Sequence, residues 1–386
     1  MMETWQFASV GGLSLTVAVL VVVTQRWHAC WTGDFQDSGV QKHHLGSPPR
    51  VGILPVLAGL MLALFWYAGA NTPAAGQTYT TLLNIILASL PVLLLGLADD
   101  VTKIVPPRVR LLGACCAALL GVVLVKVLVT RVDIPGLDVV MHWAPVGFLV
   151  TVLMVAGFTN AMNIVDGLNG LSSGLAVFML LATAVAAAAT GDALVMQLCI
   201  VLAVALGGFM LLNFPRGLIF LGDGAAYFIG FALVQVWMLL LARNPEVSVW
   251  FVVALAAHPT METLFSMYRR SFHRGRGGAF TAADRLHLHS LVYRRRTRSM
   301  LNRMPWLEAW VPNAAASVLV LLFGAMPMAV ALVAPNSVGW CLGVVVAYVF
   351  AYLVWFKRLV GFGRLRPVAS SADNAADPIA ASSPAQ

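Results

Sequence analysis

Three short motifs place carboxylates in a chain that is otherwise strongly apolar. Asp99 and Asp100 are adjacent in Gly-Leu-Ala-Asp-Asp, Asp166 follows an apolar run, and Asp223 lies between two glycines. Carboxylate oxygens are hard ligands, and Mg²⁺ takes one or two of them together with substrate phosphates and water. Two adjacent like charges repel each other, so we expect Lys103, a metal ion or both to hold the first pair.

Each motif also has a purely structural interpretation. Asp99 and Asp100 could mark the point where a helix leaves the membrane, and Asp223, just before the next helix, could be its N-cap. The glycines around Asp223 let a backbone approach a ligand closely, which favours metal binding. With Asp99, Asp100 or Asp166, Asp223 therefore predicts a Mg²⁺ site on one membrane face, with Mn²⁺ as the alternative.

Amide side chains precede and follow Asp166. Asn160 and Asn163 are three residues apart and share one helix face. The Asp-Gly and Asn-Gly pairs, the second containing Asn169, predict a tight turn over 166–170. A turn explains these glycines, but it does not explain two amides and a carboxylate on the last turns of an apolar helix. We therefore expect a ligand with many acceptor groups at this position.

Basic side chains cluster in a later loop. His287 and His289 are two apart, so they point the same way in an extended stretch and diverge on a helix. No Cys or third nearby ligand supports a zinc site, so the histidines are expected to donate to a phosphate or nucleotide. A few of the surrounding arginines, including Arg285, are expected to bind substrate, and the others to face anionic lipid.

The elements that position these residues are transmembrane helices. The 386 residues are 60% hydrophobic and 10% charged, with a mean hydropathy of +0.85, whereas soluble domains carry about 25% charged residues. Apolar runs of roughly 17–25 residues predict an all-α integral membrane protein of about eleven transmembrane helices. They lie near 5–24, 51–70, 80–97, 109–129, 144–162, 172–190, 193–212, 224–242, 247–266, 313–333 and 338–356.

The basic residues predict the orientation, because Lys and Arg accumulate in cytoplasmic loops. One set of alternate loops holds 21 of the 24 basic residues, which places the N-terminus in the periplasm and the C-terminus in the cytoplasm. The predicted membrane domain is 1–366, with a cytoplasmic loop at 267–312 and a disordered tail at 367–386. The net charge of +8 reflects this asymmetry and does not predict nucleic-acid binding.

Four motifs, in this order, resemble the polyprenyl-phosphate N-acetylhexosamine-1-phosphate transferases of glycosyltransferase family 4. They are G-L-A-D-D, N-A-M-N-I-V-D-G-L-N-G-L, F-L-G-D-G and A-D-R-L-H-L-H, and the resemblance spans roughly 40–295. The His loop and the helix count are more similar to the undecaprenyl-phosphate N-acetylglucosaminyl-1-phosphate transferase branch than to the muramoyl-pentapeptide branch.

The resemblance implies a role for each motif residue. Asp223 matches the family's magnesium-binding residue, and Asp99 and Asp100 match a pair associated with magnesium binding or with deprotonating the lipid phosphate. Asp166 matches a residue of the catalytic groove and nucleotide site. The remaining matches are Asn160 and Asn163 in that groove, His287 and His289 at the uridine diphosphate, and Lys42 and Lys103 at phosphates.

The implied reaction moves a sugar-1-phosphate, expected to be N-acetylglucosamine-1-phosphate, from a UDP-sugar to undecaprenyl phosphate and releases UMP. It would be the first membrane step of a cell-surface polysaccharide such as O-antigen, on the cytoplasmic face of the bacterial inner membrane. The expected partners are the UDP-sugar, undecaprenyl phosphate and membrane lipid, without nucleic acid. A homodimer and a monomer both stay open.

Departures from the family motifs leave alternatives open. Ser290 stands where many members have a third His, Ala225 and Ala226 follow the Asp-Gly pair, and Glu262 replaces a common Asp. These leave the exact sugar open and keep an inactive scaffold as one alternative. The muramoyl-pentapeptide transferase is the alternative enzyme. A transporter is the alternative from another class, but its polar residues would gather at the midplane of repeated halves.

Overall fold

The computed structural model describes residues 2–33, 47–272 and 286–361, and these ranges form helices joined by short connections. The β pairing within them is one isolated bridge between Gly33 and Pro49. In chain order the helices are α1 Thr4–Val23, α2 Gln25–Thr32, α3 Ile53–Gly69, α4 Pro73–Thr102, α5 Pro107–Leu124, α6 Leu137–Met141, α7 Ala144–Val165, α8 Leu171–Ala189, α9 Ala193–Asn213, α10 Gly222–Arg243, α11 Val249–Leu255, α12 Ala257–Phe272, α13 Leu288–Val292, α14 Met300–Arg303, α15 Val311–Ala331 and α16 Val338–Gly361.

Helix α10 is the centre of the bundle. Of its most apolar 18-residue stretch, 89% is buried, whereas the values for α1 and α16 are 22% and 17%. Helices α4, α7 and α8 pack around α10. Apolar helices with such exposed surfaces cannot face water at low cost, so α1 and α16 lie on the lipid side. The chain is a multi-pass membrane protein.

The described helices include nine that are long and apolar enough to span a bilayer, namely α1, α4, α5, α7, α8, α9, α10, α15 and α16. Helices α11 and α12 meet at a 73° bend and count as a tenth span if taken together. All eleven predicted segments are helical, but α3 is shorter than the nine and the segment at 247–266 is broken. These two features account for the difference in the count.

Two predicted boundaries near the acidic motifs are wrong. Helix α4 continues past residue 97, so Asp99 and Asp100 lie in its last turn, and Lys103 ends it in a left-handed conformation with φ of 58°. Helix α10 begins at Gly222, so Asp223 lies in its first turn and is not its N-cap. The capping interpretation of Asp223 is therefore excluded.

The predicted cytoplasmic loop at 267–312 contains helical structure in its described part. Helix α13 is followed by a five-residue π-helix, Tyr293–Thr297, and then by α14. Lys42, Arg285 and the predicted tail at 367–386 lie outside the described residues.

Candidate active site

The end of α4 and the start of α10 touch through two glycines. A Cβ added to Gly96 would lie 2.6 Å from both the Cα and the N atom of Gly224, so no larger residue fits between the two backbones. This contact brings Asp100, which is 2% exposed, to the first turn of α10. Its Oδ1 accepts the Asp223 N–H at 2.8 Å, and its Oδ2 accepts the Gly224 N–H at 2.9 Å.

Asp100 therefore has a definite structural task. The first N–H groups of a helix have no intrahelical partner, and α10 has no side-chain N-cap of its own. The Asp100 carboxylate supplies that cap from the neighbouring helix. Both of its oxygens are used in this way, so Asp100 fixes the place of Asp223.

Two arginines hold the Asp223 carboxylate. Arg50 Nη2 donates to Oδ1 at 2.9 Å, and Arg110 Nη1 donates to Oδ2 at 2.8 Å. The same Arg110 nitrogen also donates to Asp99 Oδ2 at 3.0 Å. Asp99 accepts in addition the Val105 N–H at 3.0 Å. One guanidinium nitrogen thus sits between carboxylates from the two helices.

The position of Arg50 depends on a short backbone pairing. Phe220 N–H donates to the Pro49 carbonyl at 2.9 Å, and Gly52 N–H donates to the Phe220 carbonyl at 3.1 Å. Next to this pairing, Gly222 has φ of +78°, and a Cβ on Gly222 would lie 2.6 Å from the Arg50 carbonyl oxygen. The glycine before Asp223 is therefore required by the way the entry to α3 crosses the start of α10.

The cluster is acidic overall and suits a cation. Asp99, Asp100 and Asp223 face Arg50 and Arg110, and the Arg50 Nε lies 3.4 Å from Asp100. In the described ranges no group of three or more His, Cys, Asp or Glu side chains is arranged to hold a metal. Asp99 and Asp223 still offer hard oxygens on both sides of one cationic nitrogen. For these oxygens to hold a divalent cation, the Arg110 nitrogen would have to move aside, and phosphate and water would supply the other ligands.

Asp166 belongs to the same electrostatic environment. It is the half-buried residue that ends α7. Burial raises the pKa of Asp166 to about 7; Asp223 and Asp100 add to that effect, and Arg50 opposes it. The structure thus brings together the four predicted carboxylates, which the sequence separates by up to 124 positions.

The turn after Asp166 is held from neighbouring helices. Gly170 N–H donates to Asn213 Oδ1 at 2.7 Å, and Asn169 N–H donates to Asn313 Oδ1 at 2.9 Å. The Asn169 amide in turn donates to the Pro215 carbonyl at 3.1 Å. Asn169, predicted to bind substrate, is buried and contributes to the packing of this turn.

The other predicted polar residues differ in exposure. On the last turns of α7, Asn160 is exposed and Asn163 is half-buried, and the Tyr227 hydroxyl lies 3.5 Å from the Asn163 Oδ1. Lys103 is exposed at the end of α4. Their predicted role in substrate binding stays a prediction.

His287 and His289 are buried, at 7% and 3% exposure. Their rings stack with centroids 5.4 Å apart and an interplanar angle of 6°. The His287 Nδ1 donates to the Glu262 carboxylate at 3.3 Å. On the opposite side, a Cβ added to Gly167 would overlap the His289 Nε2. The His pair therefore packs behind the turn that carries Asp166.

Sequence reasoning assigned no role to three charged residues at this site. Arg50 and Arg110 bind the acidic cluster, and Glu262 binds the His pair. Each lies within or beside a predicted apolar segment, where a charge is costly and is expected to have a partner or a function. This cost could have drawn attention to the three residues, although it does not identify their partners.

Comparisons with known proteins agree with the motifs. A family model described as "Glycosyl transferase family 4" matches residues 82–241, which include the four aspartates. The chain is 27% identical over 277 residues to the "Probable undecaprenyl-phosphate N-acetylglucosaminyl 1-phosphate transferase" of Bacillus subtilis (strain 168), covering 71% of this chain and 74% of that protein.

Two further relatives are similarly distant. The chain is 28% identical over 274 residues to the "Decaprenyl-phosphate N-acetylglucosaminephosphotransferase" of Mycobacterium tuberculosis (strain ATCC 25618 / H37Rv), covering 64% of this chain and 65% of the relative. It is 29% identical over 252 residues to the "Phospho-N-acetylmuramoyl-pentapeptide-transferase" of Lactiplantibacillus plantarum (strain ATCC BAA-793 / NCIMB 8826 / WCFS1), covering 61% and 75%.

Proposed function

We propose that this sugar-phosphate transferase, which a glycosyl transferase family 4 model matches over residues 82–241, transfers N-acetylglucosamine-1-phosphate from UDP-N-acetylglucosamine to undecaprenyl phosphate. The observation that carries this proposal is the Asp99–Arg110–Asp223 contact at the junction of α4 and α10. It combines the acidic groups that bind a metal–diphosphate with the cationic groups that bind phosphate oxygens.

In this proposal Mg²⁺ is the resident cation and Mn²⁺ the alternative. Asp99 and Asp223 would hold it through the oxygens that accept from Arg110 in the absence of substrate, once that guanidinium turns to the phosphates. When bound, the ion would neutralise the nucleotide diphosphate and favour departure of UMP. Arg50 and Arg110 would then bind phosphate oxygens, and Asp100 would keep Asp223 in place from α4.

The proposed reaction exchanges one phosphoanhydride bond for another. An oxygen of undecaprenyl phosphate attacks the phosphorus next to the sugar, and the bond from that phosphorus to the UMP oxygen breaks. The products are undecaprenyl-diphospho-N-acetylglucosamine and UMP, so atoms and charge balance without a redox partner. Catalysis then depends mainly on positioning and charge stabilisation. In this mechanism Asp166, whose pKa is raised, would accept a proton from the lipid phosphate.

The proposed topology has eleven spans, a periplasmic N-terminus, a cytoplasmic C-terminus and an active site on the cytoplasmic face of the bacterial inner membrane. The concentration of basic residues in one set of loops supports this orientation. The acidic cluster lies between residues of that set, Arg50 and Arg110. We propose that the product starts a cell-surface polysaccharide, with O-antigen as one candidate.

A muramoyl-pentapeptide donor is the second candidate, because the chain is 29% identical to a relative with that name. The two candidates share the lipid acceptor and the UMP product. They differ in the donor alone, so a donor panel distinguishes them.

The test uses purified protein, undecaprenyl phosphate, Mg²⁺ and a panel of UDP-sugars that includes UDP-N-acetylglucosamine and UDP-N-acetylmuramoyl-pentapeptide. UMP release and the lipid product are measured together. Omitting the lipid phosphate separates transfer from hydrolysis, and adding a chelator tests the metal. We expect release with UDP-N-acetylglucosamine that requires both the lipid and the metal. Two results from a folded preparation would contradict the proposal: no UMP release with any donor of the panel, or UMP release that does not require the lipid.

A further inference from the structure

Glu262 is a buried carboxylate outside the acidic cluster. It lies in α12, is 1% exposed, and accepts four hydrogen bonds. Its Oε2 accepts from His287 Nδ1 at 3.3 Å, Leu288 N at 3.2 Å and Tyr352 Oη at 3.2 Å. Its Oε1 accepts from His289 N at 3.3 Å. Such a complete set of donors fixes the carboxylate in one position.

These contacts place α13 and both imidazoles. The N–H groups of Leu288 and His289 are the first two of α13 and have no intrahelical partner, so Glu262 caps the helix from α12. The His289 Nδ1 also lies 3.4 Å from Oε1. An ionised carboxylate can only accept, so it keeps the proton of His287 on Nδ1. Glu262 holds His289 through its backbone N–H, and the Nε2 of His289 lies on the Gly167 side of the ring.

The far side of the His289 ring meets the turn that follows Asp166. A Cβ on Gly167 would overlap Nε2, and Gly167 follows Asp166 directly. The other side of the turn is tied to Asn213 and Asn313. The turn is therefore held between these two amides and the His289 ring. A movement of this ring would remove the support on one side of the turn.

The surroundings of Glu262 leave the ring little freedom to adjust. On α12, His258 is fully buried one turn before Glu262, and its Nδ1 lies 2.7 Å from the Tyr348 hydroxyl. Tyr352 lies one turn further along α16 and donates to Glu262 itself. The titratable groups around the His pair are thus Glu262, His258, Tyr352 and, across Gly167, Asp166.

We infer that Glu262 is a positioning residue for the transfer reaction, acting through His289 on the turn that carries Asp166. This role rests on the proposed function. It predicts an effect on turnover, because Asp166 acts at the reacting groups in the proposed function, whereas histidines that bind the nucleotide directly would predict an effect on KM.

The decisive variant is Glu262→Gln, which keeps the shape and replaces one acceptor oxygen by an NH₂ donor. Four N–H or O–H groups donate to the carboxylate, at least one to each oxygen, so the amide NH₂ must face at least one of them. We expect kcat to fall about tenfold to a hundredfold, with KM within about threefold, because small displacements of catalytic groups cost this much. Glu262→Asp, which keeps the charge, should lose less.

Gly167→Ala approaches the same contact from the other side. It should lower kcat as well, and the double variant with Glu262→Gln should lose about as much as the worse single variant, because both break one contact. The matched control is Asp192→Asn, which alters another buried carboxylate that caps a helix, at Val195. The double variant of Asp192→Asn with Gly167→Ala should have the same kcat as Gly167→Ala alone.

Three results would overturn the inference: an unchanged kcat in folded Glu262→Gln, a raised KM at constant kcat, or losses that multiply in the double variant. If Glu262→Gln does not fold, Glu262→Asp replaces it, and a wild-type kcat in that variant is equally contradictory. Failure of the proposed function is distinct, since the wild-type protein itself would then release no UMP.

Discussion

Each end of α10 carries a cluster of carboxylate and guanidinium groups, and the two clusters differ in charge balance. At the C-terminal end, Asp192 Oδ2 accepts from Arg243 Nε at 2.7 Å and from Asn244 Nδ2 at 3.0 Å. One carboxylate there meets one guanidinium. At the N-terminal end three carboxylates share two guanidinium groups. The 22-residue helix separates the ends by about 33 Å, well beyond the screening length at physiological salt.

The pKa values of Asp192 and Asp166, which lie just outside the helices at these two ends, reflect the two environments. Burial alone would raise the pKa of Asp192, but hydrogen bonds from Arg243, Asn244 and the Val195 N–H outweigh burial and lower it. At the other end burial raises the pKa of Asp166, and the charges of Asp223 and Asp100 add to that effect. A balanced cluster stabilises the fold, whereas an excess of one charge is relieved by a ligand and is typical of functional sites.

The largest effect on the folded state is expected from Gly96→Ala, which forces α4 and α10 apart at the acidic end. Overpacking of this kind costs about 1–3 kcal/mol, and a shift of Asp223 should lower kcat by at least about tenfold. Thermal unfolding in detergent and UMP release measure the two effects.

The control for Gly96→Ala is Gly157→Ala in α7, where a Cβ meets nothing within 4 Å. That change should leave activity intact and leave stability unchanged or raised by up to about 1 kcal/mol. Equal stability and activity in both alanine variants would contradict the proposed close contact.

Asp192→Asn should separate stability from activity at the opposite end. It removes the charge that partners Arg243, and we expect a loss of about 1–2 kcal/mol. The value is at the low end for a broken ion pair because the Arg243 side chain is 38% exposed and water screens it. UMP release per folded molecule should not change. A loss of turnover would show that the two ends are coupled.

The smallest effect is a difference in pH dependence between Asp166→Asn and Asp192→Asn, measured as Tm in chelator. With its lowered folded-state pKa, Asp192 stabilises fully above about pH 4 and loses this contribution as pH falls further. With its folded-state pKa of about 7, Asp166 increasingly destabilises the protein as pH rises from about 4 to 7.

From pH 5 to 8, Asp166→Asn should therefore gain Tm relative to the wild type. Asp192→Asn should stay below the wild type by a constant amount. Parallel curves for the two variants would refute the assignment of opposite charge balance.

The sequence predicted the helices well, because a long apolar run has few alternatives to a membrane helix. It also singled out the four aspartates that the structure brings together, since charges at the ends of such runs are costly unless they are used. It could not predict which of Asp99 and Asp100 caps α10 and which binds Arg110. Neighbouring residues on a helix point about 100° apart, and which one meets α10 depends on how the helices pack.

The arginine partners could not be predicted either. Arg50 and Arg110 lie 173 and 113 positions before Asp223, and no spacing rule connects them. Glu262 had a visible signal, because it is the one acidic residue in the predicted segment at 247–266. Its role still depends on α13 folding back against α12, which only the tertiary structure reveals.

The most direct test compares kcat for UMP release in Asp223→Asn and Asp192→Asn, two changes of the same kind at opposite ends of α10. We predict that Asp223→Asn lowers kcat by about 10²–10³-fold, as expected for loss of one electrostatic group at a reacting centre. Asp192→Asn should stay within about twofold of the wild type. Retention of more than about a tenth of the wild-type kcat in folded Asp223→Asn, or equal losses in both variants, would contradict an active site at the acidic end.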